Sequence, residues 1–546
     1  METWITELTP LSVLERSADV HPDKVAVVYG PDRWTYREFA ERVQQVATAL
    51  RSAGVGAGDR VAYLLPNVPE MLVAQFAVPL AGAVLVAVNT RLSAEEVRYI
   101  CDHSGSVVLV VDAAFASTVA PIASALETVR TVVTVVDPHA PAPAQEIPGA
   151  IAYADLLAGA ASNGLADDVL PWTVDDERAT ISINYTSGTT GRPKGVMYTY
   201  RGAYINALGE VLHSAFTHDS VYLWTLPMFH CNGWCTGWSV VAVGGTQVCL
   251  RDVRGDAIWQ QIDTEGVTHL NGAPTVVAMV LDSPRAHSLH HPVVITTAAA
   301  PPSPTARARA ERMGFLIVHV YGLTETYGPY SVCDWHREWD GLDQEQRARL
   351  RARQGVGMIQ AERMRVVEAE LRDGQLADVL ADGTAMGEIV MRGNNVMKGY
   401  FEDDEATAEA FRGGWFHSGD LGVMQPDGYV QLRDRAKDVV VSGGENISTI
   451  EIEQALLTHE AVLDVAVIGV PDEKWGERPK AFVVLKPGAH AGEQELIGHV
   501  RSMIARYKAP KAVAFLDELP KTSTGKVPKF ELREREWAGQ VSRIKG

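Results

Sequence analysis

Residues 179–195 read Ala-Thr-Ile-Ser-Ile-Asn-Tyr-Thr-Ser-Gly-Thr-Thr-Gly-Arg-Pro-Lys-Gly. The first seven have the composition of a strand. From Tyr185 onward, hydroxyls, glycines, an arginine and a lysine crowd into one short turn. Glycine lets backbone N–H groups approach an anion closely because no Cβ intervenes, and Lys194 adds a positive charge. A strand that delivers such a loop suits a polyphosphate. The loop is not of the Walker A type, in which Ser or Thr follows Gly-Lys. Here Lys194 precedes Gly195, and no hydroxyl follows at the Mg²⁺ position.

Outward from this loop, strands and helices alternate through the first half of the chain. Residues 59–65 read as a strand, and 93–102 as a helix with Ser93 as N-cap and acids in its first turn. The apolar runs 107–111 and 131–136 suit strands buried on both faces of a parallel sheet. The class is therefore α/β. Beyond about residue 385, glycine-marked segments at 387–393 and 428–432 predict antiparallel strands. From about 440 the pattern becomes compact α+β: helix 451–458, strands 462–470 and 481–486, helix 493–506. The expected organisation is a large N-terminal domain, 1–434, of two α/β sheet subdomains plus a β-rich subdomain. A small mobile α+β C-terminal domain, 435–546, follows it.

The length, 546 residues, exceeds what one core supports. A net charge of −19, from 49 Lys+Arg against 68 Asp+Glu, argues against general nucleic-acid binding. Five cysteines without a CxxC pair suit a reducing cytosol. Cys231 and Cys235 sit beside His230, which invites a metal reading, but no further ligand of suitable spacing makes a zinc site. The N-terminus lacks a basic region and an apolar core of signal-peptide length. Residues 76–88 are apolar but interrupted by Pro79 and Gly82, where a membrane span needs ~20 residues. They read as a core helix followed by a buried strand. A cytoplasmic location is expected, with no integral membrane segment.

Four further segments carry chemistry. Residues 318–326, Val-His-Val-Tyr-Gly-Leu-Thr-Glu-Thr, bring an aromatic face for a base, a hydroxyl for a phosphate and a carboxylate for Mg²⁺ to one loop. Asp420, in Phe416-His417-Ser418-Gly419-Asp420, could take two ribose hydroxyls. Residues 433–448 and 519–529 add a glycine-bearing turn and a lysine on a flexible loop.

With this ordered set, the chain resembles the adenylate-forming superfamily along essentially its whole length. Within it, Pro227–Trp234 and Val320–Pro329 are similar to the branch of medium-chain fatty acyl, methylmercaptopropionate and benzoate CoA ligases. The resemblance implies ATP, Mg²⁺ and CoA as cofactors and a small-molecule carboxylic acid as partner. Thr186, Ser187, Gly188, Thr189, Thr190 and Lys194 would wrap the β- and γ-phosphates. Thr324 would touch the α-phosphate and Glu325 would bind Mg²⁺. Tyr321 would stack on adenine opposite Ala299, Ala300 and Pro301. His319 stands where many members carry an adenine-reading asparagine. Asp420 would hold the ribose, with Arg435 beside it. Lys526 would bridge the acyl carboxylate and the α-phosphate, and Lys437 matches the hinge. Gly443, Gly444 and Trp475 would flank CoA. The acyl pocket would lie between the helix near His230, itself a catalytic candidate, and the strand 318–324. Phe229, Trp234, Trp238, Thr297, Ala298 and Gly322 would line it.

The implied reaction is formation of acyl-AMP and pyrophosphate, then attack of the CoA thiol on the acyl carbon with loss of AMP. The pocket suits a medium-chain, short branched or aryl acid. The alternative is adenylation for a separate carrier protein. A homodimer is compatible with these features.

Overall fold

The computed structural model of the chain describes residues 5–537, apart from 142–144, 163–168, 187–192, 299–303, 373, 436–437, 443–444, 473–475, 507 and 522–526. Among the described residues the strands form four sheets. The first carries the glycine-rich loop. Its centre is parallel: Arg60–Leu64 lies between Val84–Ala87 and Ser106–Asp112, and Val84–Ala87 pairs in turn with Thr180–Thr186. The continuous Val/Leu runs are explained by that position, because helices cover both faces. The antiparallel strand Lys194–Thr199 then returns beside Thr180–Thr186.

The apolar stretch 76–88 divides as its glycine predicts. Helix Pro69–Leu80 ends, Gly82 turns the chain at φ +83°, and strand Val84–Ala87 begins. Helix Ala94–Ser104 starts at Ser93, whose hydroxyl accepts from the Glu96 N–H while Glu96 returns the bond in a capping box. No helix among the described residues is long and apolar enough to cross a membrane.

The second sheet is built around the parallel run Val221–Leu223, His269–Asn271, Val293–Thr297 and Phe315–Leu323. It ends in a hairpin, where Gly328–Val332 folds back on Phe315–Leu323. A Cβ at Gly322 would collide with the Gly328 carbonyl, so glycine there is what allows the hairpin to close. A third, antiparallel sheet contains Met386–Met391, Phe416–Met424 and Val430–Arg435.

The small C-terminal domain has its own sheet and two apolar clusters of its own. Its long hairpin pairs Val462–Asp472 with Gly476–Leu485, so the second strand begins five residues earlier than the apolar run 481–486 predicts. The polar residues Glu477, Arg478 and Lys480 belong to that ladder, where hydrogen bonding rather than hydrophobicity sets the pairing. Helix Glu493–Met503 ends three residues short of the expected 506, with Ile504 as its C-cap.

Candidate functional site

The phosphate loop is closed by its flanking strands. Thr186 and Lys194 pair across the antiparallel ladder and set the two ends of the loop side by side. Gly195 sits where a Cβ would come within 2.8 Å of Ile183. Lys194 Nζ lies 3.5 Å from Asp403 and 4.9 Å from the centre of the Tyr400 ring. Tyr400 donates its hydroxyl to Glu325 Oε1 at 3.0 Å. Burial, reinforced by the Glu325 carboxylate, pushes the Tyr400 phenol up and keeps it a donor. Lys194, Tyr400 and Glu325 thus come together from three distant stretches. Ser187, Gly188, Thr189 and Thr190 lie outside the described residues.

Strand Phe315–Leu323 delivers the nucleoside side. The register pairs Thr297 with His319, so both share a face of the sheet with Tyr321. Tyr321 donates its hydroxyl to Asp420 at 2.7 Å, and both side chains are buried. His319 Nδ1 lies 3.2 Å from the Arg353 carbonyl. A neutral ring that donates from Nδ1 presents Nε2 as an acceptor. Asp420 stands opposite Arg435 in the neighbouring antiparallel strand. Ala299, Ala300 and Pro301 lie outside the described residues.

The turn that aims Asp420 is built from the strand beside it. Gly419 adopts φ +70° and donates its N–H to Glu388 Oε1 at 3.0 Å. His417 Nδ1 meets Glu388 Oε2 at 2.8 Å, and Ser418 Oγ donates to the Ile389 carbonyl at 2.6 Å. The Glu388 hydrogen bond outweighs burial and raises the His417 pKa. Although burial opposes it, the His417 contact lowers that of Glu388. The contact therefore favours the ionised form of both partners. Neither residue stands out in sequence, because the pairing register alone brings them together.

A small apolar cluster stands apart from the main core. It comprises Leu226, Cys231, Trp234, Val320, Val332 and Met358, with Ala298 and Val318 packed against it. Strand alternation explains the partition: Val318 and Val320 face this cluster, whereas His319 and Tyr321 face the nucleoside side. Of the expected lining residues, Trp234 and Ala298 meet here, whereas Phe229 belongs to the central core. Trp238 belongs to the central core instead, its indole N–H donating to the Gln75 carbonyl at 3.3 Å. Thr297 lies one residue from the cluster, but on the His319 face. Leu226, Val320, Val332 and Met358 escape sequence reading because nothing distinguishes them from ordinary core residues.

His230 is the N-cap of the short turn Cys231–Trp234, and its carbonyl accepts from the Gly233 N–H at 2.8 Å. Thr324 opens the 3₁₀ turn after the strand; its carbonyl accepts from Tyr198 at 2.6 Å and its hydroxyl meets Cys231 Sγ at 3.4 Å. Lys437, Gly443, Gly444, Trp475 and Lys526 lie outside the described residues.

Two carboxylates, an aromatic ring beside one of them and a lysine at a glycine-rich loop are the groups that a nucleoside triphosphate site requires. The apolar cluster sits one strand face away. This is the arrangement of a nucleotide-dependent activating enzyme with a small two-layer companion domain. The chain belongs to the AMP-binding enzyme family, whose model matches residues 14–401, with the family's C-terminal domain matching 451–526. It is 42% identical to an acetate–CoA ligase of Humulus lupulus, over 97% of this chain and 95% of that one. It is 41% identical to a 4-hydroxybutyrate–CoA ligase of Metallosphaera sedula, again over 97% and 95%. Its fold matches ATP-bound MatB from Rhodopseudomonas palustris with a TM-score of 0.80, at 28% identity, over 96% of this chain and 98% of that one.

Proposed function

We propose that this enzyme, an AMP-forming acid–thiol ligase that uses ATP, Mg²⁺ and CoA, activates a short carboxylic acid. The observation that carries the reading is the clasp in which Tyr321 donates to Asp420, one turn from Thr324 and Glu325. Short acids are favoured by the size of the apolar cluster, which Trp234 fills against Val320 and Met358. The named acids of the relatives, acetate and 4-hydroxybutyrate, are short as well.

A carboxylate is a poor acyl donor because its leaving group would be oxide. Attack on the α-phosphorus of ATP gives acyl-AMP, from which AMP departs readily when the thiol adds. The difficulty of the first half is repulsion between two anions. Lys194, Lys526 and backbone N–H groups of the glycine-rich loop would offset it. Tyr321 and Asp420 would fix base and ribose, and Thr324 would orient the α-phosphate. A carboxylate suits a hard divalent cation, and the Tyr400 hydroxyl, which donates to Glu325 Oε1, helps fix its orientation. Mg²⁺ bound there would neutralise charge on the phosphates. The boundary at 434/435, with a swing about Lys437, would let one site serve both halves.

Pyrophosphate release across a panel of acids, with and without CoA, tests the reaction. Lys526→Ala should lower acyl-AMP formation by about 10²–10³ while largely sparing thioester formation from supplied acyl-AMP. Equal loss in both halves would remove Lys526 from the first step.

A further inference from the structure

Lys194 is flanked by two carbonyl groups, and both are tied to distant segments. The Pro193 carbonyl accepts from the Tyr99 hydroxyl at 3.2 Å. The Gly195 carbonyl accepts from the Phe401 N–H at 2.7 Å. Across the ladder Gly195 faces Tyr185, whose hydroxyl meets His103 Nδ1 at 2.8 Å. Tyr99 and His103 both belong to helix Ala94–Ser104. A spacing of four residues puts them on one helix face, and their rings lie 5.2 Å apart. The His103 ring also meets the rings of Tyr185 and Phe401 edge to face, at 5.7 and 6.0 Å. One face of one helix thus grips both strands of the ladder at the mouth of the glycine-rich loop, together with the segment that carries Tyr400.

The grip matters because a lysine is hard to aim. Its ammonium is a point charge on a flexible four-carbon stem. Lys194 Nζ has Asp403 at 3.5 Å and the Tyr400 ring at 4.9 Å, but its side chain is 43% exposed and that of Asp403 37%. An ion pair as open as this contributes at most about 1 kcal/mol. Contacts of the ammonium alone therefore fix it weakly, and the direction of the stem depends on how firmly the backbone at 193–195 is held. That backbone is held by the Tyr99 and Phe401 bonds, with His103 packed against the partner of each strand.

We propose that Tyr99 and His103 are positioning residues for Lys194. By holding the Pro193 carbonyl and the Tyr185 hydroxyl, they aim the ammonium at the β- and γ-phosphates of ATP. This inference rests on the ligase reading above, in which Lys194 meets those phosphates. Neither residue touches the nucleotide in this account; each acts through the backbone that carries the lysine.

Isothermal calorimetry with ATP and with AMP, each in the presence of Mg²⁺, tests the proposal, because AMP lacks the phosphates that Lys194 would meet. Tyr99→Phe deletes one hydroxyl and keeps the ring. His103→Phe keeps an aromatic ring and deletes the bond to Tyr185. Each should weaken ATP binding by about three- to tenfold, the worth of one hydrogen bond, and leave AMP binding unchanged. His103→Asn, whose amide falls near the place of Nδ1, should restore most of the loss. Thioester formation from supplied acyl-AMP should keep its rate in all three variants. If the wild type forms no acyl-AMP from any acid, the ligase reading fails. If it does, and the variants bind ATP as tightly as the wild type, only this inference falls. It falls equally if ATP and AMP binding weaken by the same factor, since the helix would then merely hold its domain together. Tyr99→Phe decides the matter even if His103→Phe does not fold.

Discussion

At the residue scale, the most consequential groups are polar side chains placed where water does not reach. Glu210, on helix Tyr200–His213, is fully buried, and among the described residues its carboxylate accepts from Ser214 Oγ, 3.5 Å away. Burial raises its pKa from the ordinary 4.5 to about 8, against a small opposing effect of Ser214. An acid whose folded pKa is raised contributes its full stability below the unfolded pKa. That contribution declines as pH climbs from about 4.5 to about 8, because only the unfolded chain then releases the proton readily. Glu210→Gln cannot titrate. Thermal melting should show variant and wild type nearly equal at about pH 5, and the variant more stable by several degrees at about pH 9. A gap independent of pH would mean that the carboxyl is not neutral in the folded protein. Tyr321 and Asp420 illustrate the other use of burial: each satisfies the other at 2.7 Å, which fixes both side chains.

At the element scale, the pairing of Met386–Met391 with Phe416–Met424 decides how the ribose carboxylate is presented. The register shifts between Glu388 and Val390, and the resulting irregularity turns Glu388 toward both His417 and the Gly419 N–H. Glu388→Gln keeps the shape but weakens a charge-assisted pair. It should raise the KM for ATP several-fold with little change in kcat, because the loss bears on the orientation of Asp420 rather than on the reacting atoms. An unchanged KM would show that the Gly419 turn holds itself. Elements with strong local signals were legible beforehand. Ser93 and Glu96 announce a helix start, and Gly82 announces the break between helix and strand. The beginning of strand Gly476–Leu485 was not legible, because charged residues enter a ladder on the strength of its hydrogen bonds.

At the scale of the whole molecule, the small domain is fastened to the last strand of the large one. Ser448 donates its hydroxyl to the Arg433 carbonyl, and the Thr449 N–H donates to Asp434. From the final helix, Lys529 reaches Glu453 at 2.8 Å and Thr449 at 2.6 Å, while Arg533 pairs with Asp438. Glu453 and Lys529 are largely withdrawn from solvent, so removing one leaves the other charge poorly compensated. Lys529→Met should cost the small domain about 3–5 kcal/mol. Hydrogen exchange should rise in residues 449–457 and 462–485 while the large domain keeps its protection, and acyl-AMP formation should fall because Lys526 lies three residues away in the chain. Uniform protection in the variant would show that the pair is not what holds the domain together. A swing about Lys437 would have to break the contacts of Arg433 and Asp434 with Ser448 and Thr449, so those bonds set part of the barrier between the two proposed conformations.

The amino-acid sequence alone determined the order of the glycine-rich loop, the Tyr-Gly-Leu-Thr-Glu segment, Asp420 and the late lysine, and with it the family and the reaction class. Those signals are local: glycines, hydroxyls and charges whose chemistry is apparent without neighbours. The tertiary structure decided which residues meet. It put Tyr321 on Asp420, set Val320 and Trp234 to face one cluster while His319 faces away, and buried Asn232 in a left-handed turn whose side-chain amide meets no hydrogen-bond partner among the described residues. Each of these depends on strand register and on contacts between distant segments. A one-residue shift in register reverses the face a side chain occupies, and no local pattern in the sequence fixes that register.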